Sequence, residues 1–172
     1  MEEFSGKRFQ VETKKVKLPN GHIMRLEKVS SKEIALVLPI VNNDKIAVIK
    51  QYRPAIKKWL YGCPAGLIER NETPIKAARR ELEEETGLIC KNIKKAGGMF
   101  TSPGFSNEFM HIFLADCTVG GKQNLEPAEN IIVRLIPAKK IIYMVKKGMF
   151  VNGPALSAIL FGLIYREDLP LK

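Results

Sequence analysis

The start of the chain alternates between polar and apolar positions, a pattern typical of half-buried β-strands. Residues 8–18 and 22–29 flank Pro19-Asn20-Gly21, and the Asn-Gly pair favours the tight turn of a hairpin. The sequence therefore predicts that the chain opens with an antiparallel hairpin with one apolar face. The apolar positions assigned to this face include Phe9, Val11, Ile23 and Leu26.

Longer apolar runs follow the hairpin and predict the strands of a buried sheet. The runs 34–41 and 45–52 flank Asn42-Asn43-Asp44, which has the composition of a turn. Strands that surround helices in mixed order predict an α/β sandwich. With no repeat, low-complexity tract or linker, a single domain is expected over residues 1–172. The later predicted elements are strands near 93–100, at 109–116 and at 131–136, and helices at 138–147 and 154–166.

One segment in the middle of the chain carries the signals of a helix between Thr73 and Gly87. Thr73 can cap the first turn, and Pro74 suits the first helical position because its missing N–H would have no helical partner. Gly87 can adopt the left-handed conformation that ends a helix. The apolar stripe of this helix is predicted to consist of Ile75, Ala78 and Leu82.

Three glutamates share one face of the predicted helix. At about 100° per residue, Glu81, Glu84 and Glu85 fall within one arc of roughly 100°. These carboxylates repel each other, so folding alone would not favour the arrangement. Hard divalent cations prefer such oxygen-rich clusters, whereas the alternative is a solvated surface with Lys or Arg partners. The side predicted to face solvent carries Lys76, Arg79 and Glu83.

Composition bounds the class of protein. With 172 residues and 45% hydrophobic content, the chain can bury one substantial core. No run approaches a membrane span of roughly 18 apolar residues, and the start lacks an apolar signal core. Cys63, Cys90 and Cys117 are odd in number and widely spaced, which favours reduced thiols and a cytoplasmic location. The net charge of +10 is spread over short basic pairs, which favours a Lys-rich soluble surface, although a positive field would also steer an anionic nucleotide inward. The charge alone does not separate polymer from small-molecule substrates, but a nucleic-acid partner is not expected.

The spacing between Gly66 and Leu88 resembles the Nudix box: Gly, five residues, Glu, seven residues, then Arg-Glu-Leu-x-Glu-Glu-x-Gly-Leu. The resemblance implies the Nudix fold, a mixed sheet between helices. It also implies hydrolysis of a nucleoside diphosphate linked to another group, with Mg²⁺ or its substitute Mn²⁺. The specified positions are filled by Gly66, Glu72, Arg80, Glu81, Leu82, Glu84, Glu85, Gly87 and Leu88.

The same resemblance assigns expected roles to residues of the box. Glu81 and Glu85, one helical turn apart, are the expected Mg²⁺ ligands, with Glu84 close beside them. The resemblance adds the backbone carbonyl of Ala65 as a further ligand. Arg80 is expected to orient the glutamates, and a direct contact with the substrate is the alternative.

Three segments outside the box resemble the ADP-ribose pyrophosphatase branch. They are Gln51-Tyr52-Arg53, Pro64-Ala65-Gly66 and Thr101–Phe105, in which Pro103 stands about fifteen residues beyond the box. The resemblance implies hydrolysis of ADP-ribose to AMP and ribose 5-phosphate. Gly62 stands where the branch usually carries an acid, which keeps another NDP-sugar or a dinucleotide open as the substrate. A non-catalytic nucleotide- or RNA-binding module is the alternative from another class.

A general base is expected on a loop that can close over the diphosphate, and residues 120–130 form such a loop. Glu129 is the first candidate for the base or an extra metal ligand, and Glu126 is the second. Arg53 is the candidate diphosphate clamp, since a guanidinium can donate two hydrogen bonds; a surface salt bridge is the alternative. Two further candidate substrate contacts are Ser102 and Glu108.

The hairpin suggests how the molecule assembles. A lone hairpin is marginally stable unless it packs on another surface. Glu27 lies where the family places an adenine contact delivered by a second subunit, so the resemblance implies a homodimer. Residues 1–30 would then dimerise and residues 31–172 would form the catalytic core. The alternative is that the hairpin folds back on its own sheet.

Overall fold

The computed structural model of the protein describes residues 3–166. Ten strands and three α-helices form two sheets and two helical layers. The strands are β1 (Glu3–Ser5), β2 (Phe9–Lys17), β3 (Ile23–Ser31), β4 (Ile34–Val41), β5 (Lys45–Arg53), β6 (Lys58–Gly62), β7 (Ala65–Leu67), β8 (Leu88–Phe100), β9 (Phe109–Val119) and β10 (Ile131–Pro137). The helices are α1 (Pro74–Thr86), α2 (Ala138–Lys146) and α3 (Gly153–Tyr165), with a short 3-10 helix at Pro54–Ile56. None of the α-helices within residues 3–166 is long and apolar enough to cross a membrane.

The larger sheet has seven strands and is mixed. Its main path runs β10-β5-β4-β9-β8, while β6 pairs with β5 and β7 pairs with β4. The β4–β9 pair is parallel and the other pairs are antiparallel. Helix α1 packs on one face, and α2 and α3 pack on the other. The predicted fold class, an α/β/α sandwich with a mixed sheet, is confirmed.

The central strand β4 is buried along its whole length and supplies both cores. Its alternate residues point to opposite faces, as the period of two in a strand requires. Leu36 and Leu38 belong to the core under α2 and α3, whereas Ala35 and Val37 belong to the core under α1. The small residues on the α1 side allow the glutamate-bearing helix to approach the sheet closely.

Helix α1 begins and ends where the sequence predicts. Thr73 occupies the capping position without a side-chain hydrogen bond, and Gly87 ends the helix at a φ of 66°. Ala78 and Leu82 are fully buried as predicted, but Ile75 is 43% exposed. The assignment of Ile75 to the apolar stripe is therefore wrong. The buried positions begin only at Ala77, so the first turn precedes the part of the helix that packs on the sheet.

The N-terminal strands form a separate antiparallel sheet in the order β1-β2-β3. The predicted hairpin is confirmed, but its apolar residues do not share one face. Phe9 and Val11 lie opposite Ser31 and Val29, whereas Leu26 lies opposite Lys14. Since cross-strand partners point to the same side, Leu26 belongs to the other face. Apolar side chains therefore stand on both faces of this sheet.

Three short strands and one strand boundary were missed by the sequence pattern. β1, β6 and β7 contain only three to five residues, which is too short for an alternation to be recognised. β8 begins at Leu88, directly after α1, and not near residue 93. The polar residues of its first half hid this start, because the β8–β9 register shifts between Cys90 and Asn92.

Candidate active site

A cleft of about 650 Å³ lies between the end of β5, strand β7, helix α1 and the loop before β10. Strand β7 places Ala65 next to Glu85 and Gly66 next to Glu81 of α1. Most of the residues expected to act on metal or substrate line this one cleft. They are Arg53, Ala65, Arg80, Glu81, Glu84, Glu85, Glu126 and Glu129.

Glu85 is the most buried charged group of the cleft, with 2% of its surface exposed. One carboxylate oxygen accepts a hydrogen bond from the backbone N–H of Ala65 at 3.0 Å. Burial is the main cause that raises the pKa of Glu85 to about 8, and the nearby charges of Glu81 and Glu129 act in the same direction, whereas the hydrogen bond from Ala65 acts against them. A bound cation would offset this cost of ionisation.

Glu81 explains why the box contains a glycine at position 66. The Glu81 carboxylate lies so close to Gly66 that a Cβ atom there would overlap it. Burial also raises the pKa of Glu81, although its hydrogen bond to Arg80 acts in the opposite direction. The glycine thus admits a second, half-buried carboxylate beside Glu85.

Arg80 joins the acidic residues of the box into one network. Its Nε and Nη2 atoms each donate to Glu72 at 3.0 Å. Its Nη1 atom donates to Glu81 at 2.7 Å and to Glu84 at 3.2 Å, and Nη2 also donates to the carbonyl of Leu67. These bonds occupy the guanidinium and hold the pKa of Glu72 below its ordinary value. The arrangement is the one that an orienting role for Arg80 requires.

The donor set suits a hard divalent cation. Glu81 and Glu85 offer carboxylate oxygens in a setting where burial disfavours their charge, and Ala65 offers a backbone carbonyl. Within residues 3–166, no three His, Cys, Asp or Glu side chains form a ready-made metal site. One guanidinium nitrogen of Arg80 forms ion pairs with both Glu81 and Glu84. These two carboxylates therefore already have a positively charged partner within the protein.

The loop before β10 is fastened to helix α1. The N–H of Gly121 donates to the carbonyl of Gly87 at 3.0 Å, and the N–H of Asn124 donates to the carbonyl of Glu84 at 2.9 Å. The side chain of Gln123 donates to the carbonyl of Glu85 at 2.7 Å. The start of the loop therefore has a fixed position relative to the predicted metal ligands.

The two glutamates of this loop differ in their surroundings. Glu129 is half-buried, and its charge acts on both Glu81 and Glu85, whereas Glu126 is exposed. The Glu129 carboxylate accepts a hydrogen bond from the N–H of Glu126 at 3.0 Å. These contacts favour Glu129 over Glu126 as the carboxylate that faces the α1 glutamates.

Arg53 is a half-buried cation at the end of β5. Burial is the main cause that lowers its pKa, and the charges of Glu85 and Glu129 partly offset this effect. Among the described residues, no carboxylate forms an ion pair with Arg53. The surface salt bridge considered as an alternative role is therefore not formed within residues 3–166, and the guanidinium is open to an anion in the cleft.

Three candidate substrate contacts lie outside this cleft. Ser102 and Glu108 line a smaller cavity of about 170 Å³, and Glu27 lies exposed on the hairpin. The Glu108 carboxylate accepts hydrogen bonds from Thr101 at 2.9 Å and from Ser31 at 3.2 Å. The chain thus does not bring these three residues to its own α1 glutamates, and their roles stay predictions.

The structure adds residues to the cleft to which the sequence gave no individual role. Arg8, Lys32 and Gln51 line it, and the side-chain oxygen of Gln51 is buried without a hydrogen-bond partner among the described residues. Arg8 also lines the smaller cavity, so it stands where the two cavities meet. Its position in a short basic pair, Lys7-Arg8, resembles the other scattered pairs and gave no signal in the sequence.

Comparisons with known proteins find pyrophosphatases with related sequences. An ADP-ribose pyrophosphatase of Bacillus subtilis is 40% identical over 113 residues, which are 66% of this chain and 61% of that protein. This chain thus spans about three fifths of the length of that relative. A GDP-mannose pyrophosphatase of Enterobacter sp. is 30% identical over 151 residues, 80% of this chain and 78% of that protein.

A solved structure described as an ADP compounds hydrolase shares the fold. It superposes with a TM-score of 0.83 and 23% sequence identity, and the match covers 95% of this chain and 90% of the other. The profile of the NUDIX domain matches residues 31–157, from the end of β3 into α3. Because this match covers more than half of the chain and includes the whole box, the chain belongs to the NUDIX domain family.

Proposed function

We propose that the protein hydrolyses the diphosphate bond of ADP-ribose, with Mg²⁺ or Mn²⁺, to give AMP and ribose 5-phosphate. The observation that carries this proposal is the pairing of opposite charges in one cleft. The buried carboxylate of Glu85 and the half-buried carboxylate of Glu81 lie on one wall, and the guanidinium of Arg53, which has no ion-pair partner within residues 3–166, lies on another. A metal-bound diphosphate is the kind of ligand that requires both.

The residues that would hold the metal are Glu81, Glu85 and Glu84, with the carbonyl of Ala65. When bound, the metal would polarise the phosphoryl oxygens and lower the pKa of a bound water. Arg80 positions the glutamates through its bonds to Glu72, Glu81 and Glu84. No rotation of these side chains is needed for them to face the cleft, since they already line it or bond to residues that do.

The remaining roles are phosphate binding by a cationic side chain and proton transfer to a carboxylate. Arg53 binds a phosphate oxygen through its guanidinium, which is oriented by the end of β5. Glu129 accepts a proton from the attacking water, since its carboxylate faces the α1 glutamates. Water adds to one phosphorus, the bridging P–O bond breaks, and each product leaves with one phosphate.

Another NDP-sugar is the second candidate substrate, since one relative is a GDP-mannose pyrophosphatase. The departure at Gly62 has a local explanation that leaves ADP-ribose first. Gly62 is buried, and a side chain there would contact Ile49 and Asn152. It is not among the described residues that line the cleft, so the missing acid does not change the charge of the cleft wall.

A substrate panel tests the proposal. Purified protein is assayed with Mg²⁺ against ADP-ribose, GDP-mannose, dinucleotides and capped RNA, with release of phosphate after phosphatase treatment as the readout. The highest kcat/KM is expected for ADP-ribose. A tenfold preference for any other member would refute the substrate assignment. Tight binding of ADP-ribose without turnover in Mg²⁺ or Mn²⁺ would favour the non-catalytic module.

The proposed assembly is a homodimer in which the N-terminal sheet of one subunit packs on the other. Its support is the exposure of apolar side chains on that sheet, including Phe4 at 57% and Ile23 at 61%. In such a dimer Glu27 would reach the nucleotide of the partner subunit. The boundary at residue 30 and the cytoplasmic location stay predictions.

A further inference from the structure

Arg8 occupies a position that the proposed reaction does not yet use. It lies in the turn between β1 and β2, is exposed, and lines both the catalytic cleft and the smaller cavity. Among the described residues, no carboxylate holds Arg8 in an ion pair. An arginine that is free of protein partners and faces a cleft has its donors available for a ligand.

Arg8 also lies close enough to Arg53 for the two charges to interact. The charge of Arg8 is one of the causes that lower the pKa of Arg53, because two like charges disfavour each other. In the part of the chain that the structure describes, neither guanidinium is neutralised by an ion pair. An anion placed between them would relieve this repulsion and accept hydrogen bonds from both.

The smaller cavity indicates which side of a bound diphosphate Arg8 would contact. Its wall contains Ser31, Thr101 and Glu108, and the Glu108 carboxylate is already bonded to the two hydroxyls. Arg8 is the basic residue of that wall. It therefore stands between the cleft that contains the α1 glutamates and a polar cavity beyond it.

We propose that Arg8 is a substrate-binding residue that holds the substrate diphosphate together with Arg53, and that it acts in its own subunit. This inference rests on the proposed function, since it takes the ligand to be a nucleoside diphosphate linked to a second group. Arg8 holds the phosphate on the side of the smaller cavity, while Arg53 holds the diphosphate beside the α1 glutamates. The N-terminal sheet thus serves its own active site as well as any partner.

Steady-state kinetics of Arg8→Gln test the assignment. We expect KM for ADP-ribose to rise about tenfold with kcat within twofold, because a charged hydrogen bond to the ground state is lost. Arg8→Lys should recover part of the affinity, and the dependence of kcat/KM on salt should be weaker in Arg8→Gln than in the wild type. The matched control is Lys7→Gln, since Lys7 is also exposed but lines neither cavity. An unchanged KM, or an equal rise in Lys7→Gln, would overturn the role of Arg8.

The experiment separates this proposal from the substrate assignment. The same variants are compared on whichever member of the panel the wild type hydrolyses best, and ADP binding in Mg²⁺ is measured by calorimetry. A wrong substrate would change the panel result and leave the Arg8 effect in place. If Arg8 has no role, the affinity for ADP is the same in Arg8→Gln and wild type.

Mixed molecules test whether Arg8 acts within one subunit. Arg8→Gln and Glu85→Gln chains are co-expressed with different tags and purified through both. If Arg8 acts in its own subunit, the active site that retains Glu85 lacks Arg8, and KM stays high. Absence of any mixed species agrees with this assignment as well. A wild-type KM in the mixed molecules would overturn it, because the partner would then supply the arginine.

Discussion

Helix α1 with its surroundings and the N-terminal sheet differ in which side chains they bury and which they expose. Around α1, charged groups are buried and bonded to each other, as in the contacts of Arg80 and the 2% exposure of Glu85. On the N-terminal sheet, apolar side chains are exposed, and its hydrogen bonds to the core run through Val29 and Ser31. Buried charge is costly unless a ligand or partner charge compensates, and exposed apolar surface is costly unless something covers it. The proposed function accounts for both regions, since a cation would compensate the carboxylates of α1 and a second subunit would cover the N-terminal sheet.

The largest expected effect comes from the buried carboxylates. Glu81→Gln and Glu85→Gln should each weaken metal binding and reduce turnover by about 10²-fold or more, because a preorganised charge is lost. Turnover and Mg²⁺ titrations measure both effects. Glu83→Gln is the matched control, since Glu83 is on the same helix but is exposed. Equal losses at Glu83 and Glu85 would refute the assignment of the metal-binding face.

Removal of the N-terminal sheet should have the next largest effect. A chain without residues 1–29 should become monomeric, and its KM for ADP-ribose should rise about tenfold or more, since Arg8 and Glu27 are lost together. Mass in solution and steady-state kinetics are measured on the same sample. A truncated chain that stays dimeric with unchanged KM would show that the sheet serves neither assembly nor substrate binding.

The pH dependence of the protein should report on Glu85. The folded state keeps a proton on Glu85 up to a pKa of about 8, whereas the ordinary value is 4.5. The contribution of Glu85 to the stability of the metal-free protein should therefore be fully present below pH 4.5, and it should be lost as pH rises towards 8. The loss is about 1.4 kcal/mol per pH unit at most. Thermal unfolding between pH 5 and 8 measures it, and Glu85→Gln should flatten the profile while Glu83→Gln should not.

The affinity for metal should also depend on the protonation of Glu85, but it should rise with pH where the stability falls. Because Mg²⁺ must displace the proton of Glu85, its apparent affinity should rise with pH and level off above about pH 8. The expected slope is at most roughly tenfold per pH unit. An affinity that is constant between pH 6 and 8 would mean that Glu85 does not bind the metal.

The smallest expected effects concern the two faces of the N-terminal sheet. Ile23→Ser and Met24→Ser change neighbouring exposed residues that point to opposite faces. The stability of the isolated subunit should change by less than about 0.5 kcal/mol in both. The dissociation constant of the dimer should rise only for the change on the face that packs on a partner. Sedimentation measures this constant. Equal dissociation constants for both variants and the wild type would remove this sheet from the interface.

The sequence predicted much of the larger sheet and the α1 region because their signals are local. Thr73, Pro74 and Gly87 act within one turn of the helix ends, and the spacing of Glu81 and Glu85 gives their common face directly. Ile75 was assigned wrongly because helical periodicity gives a direction around the axis and not the position where packing begins.

The parts that the sequence could not predict depend on distant pairings. Leu26 was placed on the wrong face because a strand's side is fixed only by its register with β2. Arg8 could not be recognised, since it is far from Arg53 in the sequence and the two residues line the same cleft only in the folded chain. Glu108 was expected at the substrate, but its hydroxyl partners Ser31 and Thr101 come from different segments of the chain.

The loop before β10 is bonded to the rest of the fold at both ends, and its middle is held by hydrogen bonds between Glu126 and Glu129. Its start is bonded to α1 through Gly121 and Asn124, and at its end the carbonyl of Asn130 accepts a hydrogen bond from the N–H of Tyr52. Exposed loop tips accept inserted residues more readily than bonded backbone does. Residues inserted into or removed from the exposed stretch 125–128 are therefore expected to leave the helix that bears the glutamates undisturbed, but to move Glu126 and Glu129 relative to it.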